Sequence, residues 1–160
     1  MKKVLFSLLF LTGCGFTPLY GTQNHSLLNA SVTVSPIPNQ YGQNMAQIIK
    51  NALPVNQKEA QSQYKLTVSS PSFTSGDKTI TSDEFASTMQ VTATANYQLT
   101  DLKTQKTVLS EKISAVSSYS VVVNPYATTV AEQKIQKELA DQIAEQIALD
   151  VLTKLSQENS

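Results

Sequence analysis

Residues 85–100, FASTMQVTATANYQLT, limit the folds open to this chain more than any other stretch. The odd positions hold Phe85, Ser87, Met89, Val91, Ala93, Ala95, Tyr97 and Leu99. The even positions hold Ala86, Thr88, Gln90, Thr92, Thr94, Asn96, Gln98 and Thr100. A strand sends alternate side chains to opposite faces, so the pattern sorts into one apolar and one polar face. Sustained over about 16 residues at roughly 3.3 Å each, it asks for a strand of about 50 Å, far beyond the usual length. Such a strand needs antiparallel neighbours and an apolar layer on one side only.

The flanking sequence supplies both. Thr107–Val121 returns after the turn DLKTQK with Leu109, Ile113, Ala115, Tyr119 and Val121 on one face; Glu111 interrupts that face and is expected at a sheet end or in solvent. Upstream, Ala30–Pro36 is a short first strand and Gln63–Ser70 a second, with Tyr64, Leu66 and Val68 aligned. Between them Tyr41, Met45, Ile48, Ile49, Ala52 and Leu53 recur at helical spacing, with Asn39 as cap, Pro54 as stop and Gly42 weakening the first turn, so the helix is expected to be short. Residues 71–84, PSFTSGDKTITSDE, read as a long polar connection with Gly76-Asp77 at its tip, part of which can extend a hairpin.

A last helix is predicted from a capping box, Thr129 to Glu132, to about Leu155. Its stripe of Ile135, Leu139, Ile143, Ile147, Val151 and Leu155, widened by Ala140, Ala144, Ala148 and Leu152, repeats every four residues and so drifts round the helix. A drifting stripe suits a helix lying obliquely on a twisted sheet rather than a coiled coil. Ala93, Ala95, Ala115 and Ser117 are small and would let it approach closely. The order β-α-β-β-β-α thus predicts an α+β two-layer sandwich: a four-stranded, mostly antiparallel sheet with two helices on one face.

The N-terminus addresses the chain. Lys2-Lys3 precede the apolar run VLFSLLFL, which is too short to span a bilayer but has the layout of an export signal. Leu11-Thr12-Gly13-Cys14 resembles a bacterial lipobox, and Cys14 is the single cysteine. Cleavage before Cys14 would leave it carrying diacylglycerol and fatty acyl groups, a practically permanent anchor. Gly15, where Asp would signal inner-membrane retention, points to the outer membrane. The expected division is 1–13 signal peptide, 14–29 anchor and tether, 30–156 one domain, and 157–160 tail.

No constellation for catalysis is visible. His25 is the lone histidine and falls in the tether; Asp83-Glu84 reads as a solvated strand edge. No metal-ligand spacing, nucleophile elbow or phosphate loop occurs, so neither enzyme activity nor a cofactor is expected. Twelve basic residues balance twelve acidic ones, every basic residue is Lys, and no basic field suggests nucleic acid.

The informative surface is the polar face of the long strand: Thr88, Gln90, Thr92, Thr94, Asn96 and Gln98 carry no charge. Cross-strand threonine pairing explains such a face, and so does contact with a polar wall such as the lumen of a wide barrel. The apolar segment VVVNPYA, with Pro125 and Tyr126, is a second contact candidate, unless it packs beneath its own helix end.

The stretch CGFTPLYG after the lipobox, and SYSVVVNPYATTVAEQ running into KELADQIAEQIALDVLTKL, resemble the LPS-assembly lipoprotein (LptE) family over essentially the whole chain. The resemblance implies a lipoprotein that plugs the LptD-like outer-membrane barrel inserting lipopolysaccharide into the outer leaflet. It further implies a part in that barrel's assembly and, in some members, lipopolysaccharide binding. Lys78, in the connection before the long strand, is the candidate for meeting lipid A phosphates. The competing class is a periplasmic lipid- or solute-binding envelope lipoprotein, which would need a deep apolar pocket.

Overall fold

A computed structural model describes residues 31–56, 61–80, 87–122 and 124–158, with the side chains of 77–80 and 87 outside the description. The elements are β1 (Val32–Val34), α1 (Asn39–Ala52), β2 (Tyr64–Val68), β3 (Ser72–Ile80), β4 (Ser87–Asp101), β5 (Thr107–Val121) and α2 (Pro125–Glu158). Cys14 and His25, and with them the signal and tether, lie outside the described residues, as do Asp83-Glu84, Phe85 and Ala86.

The α+β class and the order of elements agree with expectation, with one correction. The sheet has five strands, not four. The additional strand, β3, is built from the stretch expected to be a polar connection, and Gly76 sits inside it opposite Gln90 rather than at a tip. The reason lies in β4. Its C-terminal half pairs with β2, from Tyr64↔Asp101 to Val68↔Tyr97. Its N-terminal half then pairs with β3, from Ser72↔Thr94 to Ile80↔Ser87. β5 takes the opposite edge along nearly the whole strand, from Ser87↔Val121 to Thr100↔Thr107. A strand as long as β4 would otherwise leave half an edge of unpaired amides and carbonyls. β2 and β3 therefore lie end to end along one edge, separated by Ser69-Ser70-Pro71, whose proline cannot donate to a ladder.

β1 joins β2 in parallel, Val32↔Tyr64 to Val34↔Leu66, which makes the sheet mixed. It is four strands wide where β1 and β2 lie and three wide where β3 lies. The wide end will be called proximal, because the chain enters the domain there at Ser31, and the narrow end distal.

The inner face carries the core. Val32, Val34, Tyr64, Leu66, Val68, Val91, Ala93, Ala95, Tyr97 and Leu99 from the sheet form one buried cluster with Met45 and Ile49 of α1 and with α2. The α2 contribution is Leu139, Ala140, Ile143, Ala144, Ile147, Ala148, Val151 and Leu155; Ile135 and Leu152 of the predicted stripe are only partly buried against that cluster. Each large side chain so buried contributes about 1.5–3 kcal/mol. At 1.5 Å per residue α2 is about 50 Å long, matching β4 and β5.

The first helix starts with Asn39 as expected but is not short, and the second starts earlier than expected. α1 runs 14 residues despite Gly42. Asn39 adopts a left-handed φ of 64°, and its Oδ1 accepts the Gly42 N–H at 2.8 Å. Gly42 is required by proximity: a Cβ there would lie 2.6 Å from Ile37 Cγ2 and 3.0 Å from the Ile37 carbonyl oxygen. α2 begins at Pro125, not at the Thr129 capping box. Asn124 Oδ1 accepts the Tyr126 N–H at 3.0 Å, and proline at the first helical position has no amide to satisfy. The Thr129 hydroxyl instead donates back to the Pro125 carbonyl at 3.1 Å. α2 also continues to Glu158, into the stretch read as a tail.

Candidate functional site

The six uncharged residues singled out on the long strand all lie on the outer face of β4, opposite the helices. Thr88, Gln90, Thr92 and Thr94 are half-buried among their neighbours, while Asn96 and Gln98 are exposed. The pairing extends this face across the sheet. Thr94 lies between Ser72 and Ser114, Thr92 between Thr74 and Val116, and Gln90 between Gly76 and Ser118. Thr88 lies between Thr79 and Ser120. No charged residue occupies any of these four rows. Among the paired residues, lysine enters towards the proximal end, with Lys112 beside Asn96 and Lys65 beside Thr100; at the distal end Lys78 falls between the rows, where the register of β3 shifts.

The β5 half of this face was legible in the alternation of Ser114, Val116, Ser118 and Ser120 but was not singled out in the sequence. Val116 stands 55% exposed in the middle of the polar rows. Cross-strand hydrogen bonds hold the proximal rows: Gln98 Nε2 donates to Thr107 Oγ1 at 2.6 Å, and the hydroxyls of Ser35 and Thr67 meet at 3.4 Å.

The distal end gathers the remaining candidates by backbone position. The register of β3 shifts between Asp77 and Thr79, so Lys78 is the extra residue of a β-bulge opposite Met89 and Thr88. Bulges re-aim side chains at sheet margins. At the same end β5 leads into α2. The Thr128 hydroxyl spans Val122, donating to its carbonyl at 3.2 Å and accepting its N–H at 3.3 Å. Pro125 and Tyr126 therefore belong to the first helical turn, not to a loop, which corrects the sequence reading. Tyr126 is 77% exposed and one turn from Val130, so it does not pack beneath its own helix end. The outer face and Tyr126 share the distal end but belong to opposite layers.

What holds these surfaces in place is a series of tyrosines between α2 and the rest of the domain, a feature the sequence reading missed. Tyr64 donates to Glu158 Oε2 at 3.0 Å and Tyr97 to Asp150 Oδ2 at 2.7 Å. Tyr41 donates to Gln136 Oε1 at 3.0 Å, and Gln136 Nε2 to Glu132 Oε1 at 3.1 Å. Glu132 also lies close enough to Tyr119 for its charge to act on that phenol. Burial, with the neighbouring carboxylate second, pushes the Tyr64 phenol up to about 12. The same causes raise Tyr97 and Tyr119 above the ordinary phenol range. These phenols stay neutral donors under any physiological condition, so the ladder is structural, not a proton relay.

Among the described residues no cluster of His, Cys, Asp and Glu is arranged to hold a metal ion, and no helix is long and apolar enough to cross a membrane. A groove of ≈ 520 Å³ among the described residues is open and lined mostly by polar residues: Thr33, Val34, Gln47, Lys50, Asn51, Val55 and Asn56.

Comparison with solved structures supports the fold. A chain from Caulobacter crescentus described as a lipoprotein superposes with a TM-score of 0.56 at 20% identity, over 84% of this chain and 95% of that one. A minor lipoprotein from Acinetobacter baumannii gives 0.56 at 15% identity over 76% and 90%. Lipoprotein B from Nitrosomonas europaea gives 0.56 at 14% identity over 80% and 88%. No curated protein sequence matches the chain significantly. The sequence-family model for lipopolysaccharide assembly (LptE) matches residues 30–151, the whole of the sheet and most of α2, and the chain belongs to that family.

Proposed function

We propose that this protein is an outer-membrane lipoprotein, anchored through acyl groups on Cys14, that acts as plug and assembly factor of the barrel inserting lipopolysaccharide into the outer leaflet. The observation that carries this reading is the uncharged outer face. From Thr88 to Asn96 the outer rows of β4 cover about 25 Å at roughly 3.3 Å per residue, close to the height of the apolar band of an outer-membrane barrel. A wall of neutral hydroxyls and amides can exchange hydrogen bonds with a polar lumen without stranding a charge away from bulk water. The narrow distal end and the rigid α2 brace suit insertion as a wedge. Among the described residues the ≈ 520 Å³ groove is open and lined mostly by polar residues, unlike the deep apolar pocket that the competing solute-binding class would need.

Gentle solubilisation of outer membranes should recover the protein with a large barrel at close to one-to-one. Thr92→Asp with Thr94→Asp should leave the isolated domain folded, yet cut recovery of the complex by about tenfold or more, since each buried unpaired charge costs more than a kcal/mol. Recovery of the lipoprotein alone from wild-type membranes would sink the reading. Lys78 is the residue proposed to meet lipopolysaccharide phosphate. Lys78→Glu is expected to weaken binding of purified lipopolysaccharide, and unchanged binding removes it from the site.

A further inference from the structure

The proximal end carries a charge pattern that the plug reading does not use. The Ser31 carbonyl accepts the N–H groups of Gln63 and Tyr64 at 2.9 and 3.0 Å, and the Gln63 carbonyl accepts the Leu102 N–H at 2.8 Å. The turn between β4 and β5 therefore sits beside the point where residues 14–30 join the domain. Lys103 and Lys106 are exposed in that turn. Lys112 is exposed on the outer face of β5, and Lys65 lies on the outer face of β2 opposite Thr100.

The carboxylates of the same end are engaged within the domain, and the Asp101 charge offsets part of that of Lys103. Asp101 Oδ1 accepts the backbone N–H groups of Lys103 at 2.7 Å and Thr104 at 3.2 Å. These bonds, the Thr104 amide first, hold its carboxyl below the usual range. Glu111 lies on the inner face, where it accepts the Tyr97 hydroxyl at 3.4 Å. The outer proximal corner therefore carries a net basic charge, while the paired outer rows from Thr94 to Thr88 carry none, Lys78 being the extra residue of the β3 bulge.

The tether decides what this corner meets. Cys14 and Ser31 are 17 positions apart, and a chain of that length spans at most about 60 Å. With Cys14 in a leaflet, the β4–β5 turn stays within reach of that leaflet's surface, and the distal end of a domain about 50 Å long lies farther from the tether. We infer that the lysine corner docks on the anionic phospholipid headgroups of the leaflet holding the acyl chains, and so orients the long axis of the domain across the membrane. The inference rests on Cys14 being the anchor. Phospholipid is favoured over a protein partner by the residue types. Lysine is a flexible point charge with no directional demand, and the turn offers Thr104 and Gln105 rather than an aromatic or arginine anchor.

The test uses the full chain from residue 14 onward with Cys14→Ser, so that acyl chains do not mask the headgroup contribution. It is measured by flotation with phosphatidylcholine vesicles containing about 30 mol % phosphatidylglycerol at low salt, where each surface lysine contributes about fivefold. Lys103→Gln with Lys106→Gln should weaken binding about 20- to 30-fold. Lys134→Gln with Lys137→Gln on α2 removes the same charge and should change binding less than about threefold. Equal losses in the two variants, binding that ignores phosphatidylglycerol, or preference for lipopolysaccharide micelles over the vesicles would each overturn the inference. Mass spectrometry of the membrane-extracted chain reads the anchor separately. An unacylated Cys14 with lysine-dependent binding intact defeats the anchor reading and the orientation that follows from it, leaving the headgroup contact, and an acylated Cys14 without phosphatidylglycerol dependence defeats the corner alone.

Discussion

The Tyr97 hydroxyl donates to Asp150 Oδ2 at 2.7 Å, tying the proximal third of β4 to the C-terminal half of α2. Asp150 keeps a second partner, Gln146 Nε2 at 2.9 Å. Tyr97→Phe retains the ring in the core and removes only the donor. A hydrogen bond to a charged acceptor is worth about 1.5–3 kcal/mol, and Asp150 regains some hydration when it is lost. Denaturant unfolding of Tyr97→Phe at neutral pH should therefore show a loss of about 1–2 kcal/mol with an unchanged slope.

The same phenols set an alkaline limit. Tyr64 titrates near 12 in the fold against 10.0 for an unperturbed phenol, and Tyr97 is shifted in the same direction. A folded pKa above the unfolded one means the stabilisation is fully present below pH 10.0 and is lost as pH rises through about 12. Unfolding free energy should fall across that window. The double variant Tyr64→Phe with Tyr97→Phe, weaker at neutral pH, should show a flatter decline there. An equally steep decline in the variant would place the alkaline sensitivity elsewhere.

Gly42 offers a test in which helix propensity and packing oppose each other. Alanine is better than glycine in a helix by about 1 kcal/mol. The added methyl would lie 2.6 Å from Ile37 Cγ2, and Ile37 is 3% exposed with no room to retreat. Overpacking should win, and Gly42→Ala should lower stability by about 1–2 kcal/mol net in thermal or denaturant unfolding. Stabilisation would show that Ile37 moves aside at little cost.

The start of α2 can be located by its cap. Asn124→Ala removes the acceptor of the Tyr126 N–H and should cost about 1 kcal/mol. Thr129→Ala removes only a hydroxyl that bonds back to the Pro125 carbonyl, and should leave stability within about 0.5 kcal/mol. The reverse ranking would return the helix start to the capping box.

How far the chain explains itself can be argued from particular residues. The alternation of 87–101 placed Val91, Ala93, Ala95, Tyr97 and Leu99 in the core and their neighbours on the outer face, because a strand's period of two is set by covalent geometry. The stripe of α2 was equally readable, since each of its buried residues is apolar. The candidate face on β4 followed from the same period. The tyrosine ladder did not, because Tyr64 and Glu158, or Tyr97 and Asp150, become neighbours only when α2 crosses the sheet.

Strand β3 marks the boundary between the two kinds of knowledge. Read locally, SFTSGDKTI has a glycine at its centre and too few apolar residues to stand as a strand. It becomes one because β4 outruns β2 and presents an edge whose backbone groups must be paired. Sequence alone was sufficient for the period of each element, the apolar face it would bury and the class of fold, since these depend on residues within a few positions of each other. Tertiary structure was needed to pair the edges of β4, to start α2 at Pro125 and to bring the β4–β5 turn beside Ser31. Each of those depends on backbone groups far apart in the chain finding their partners.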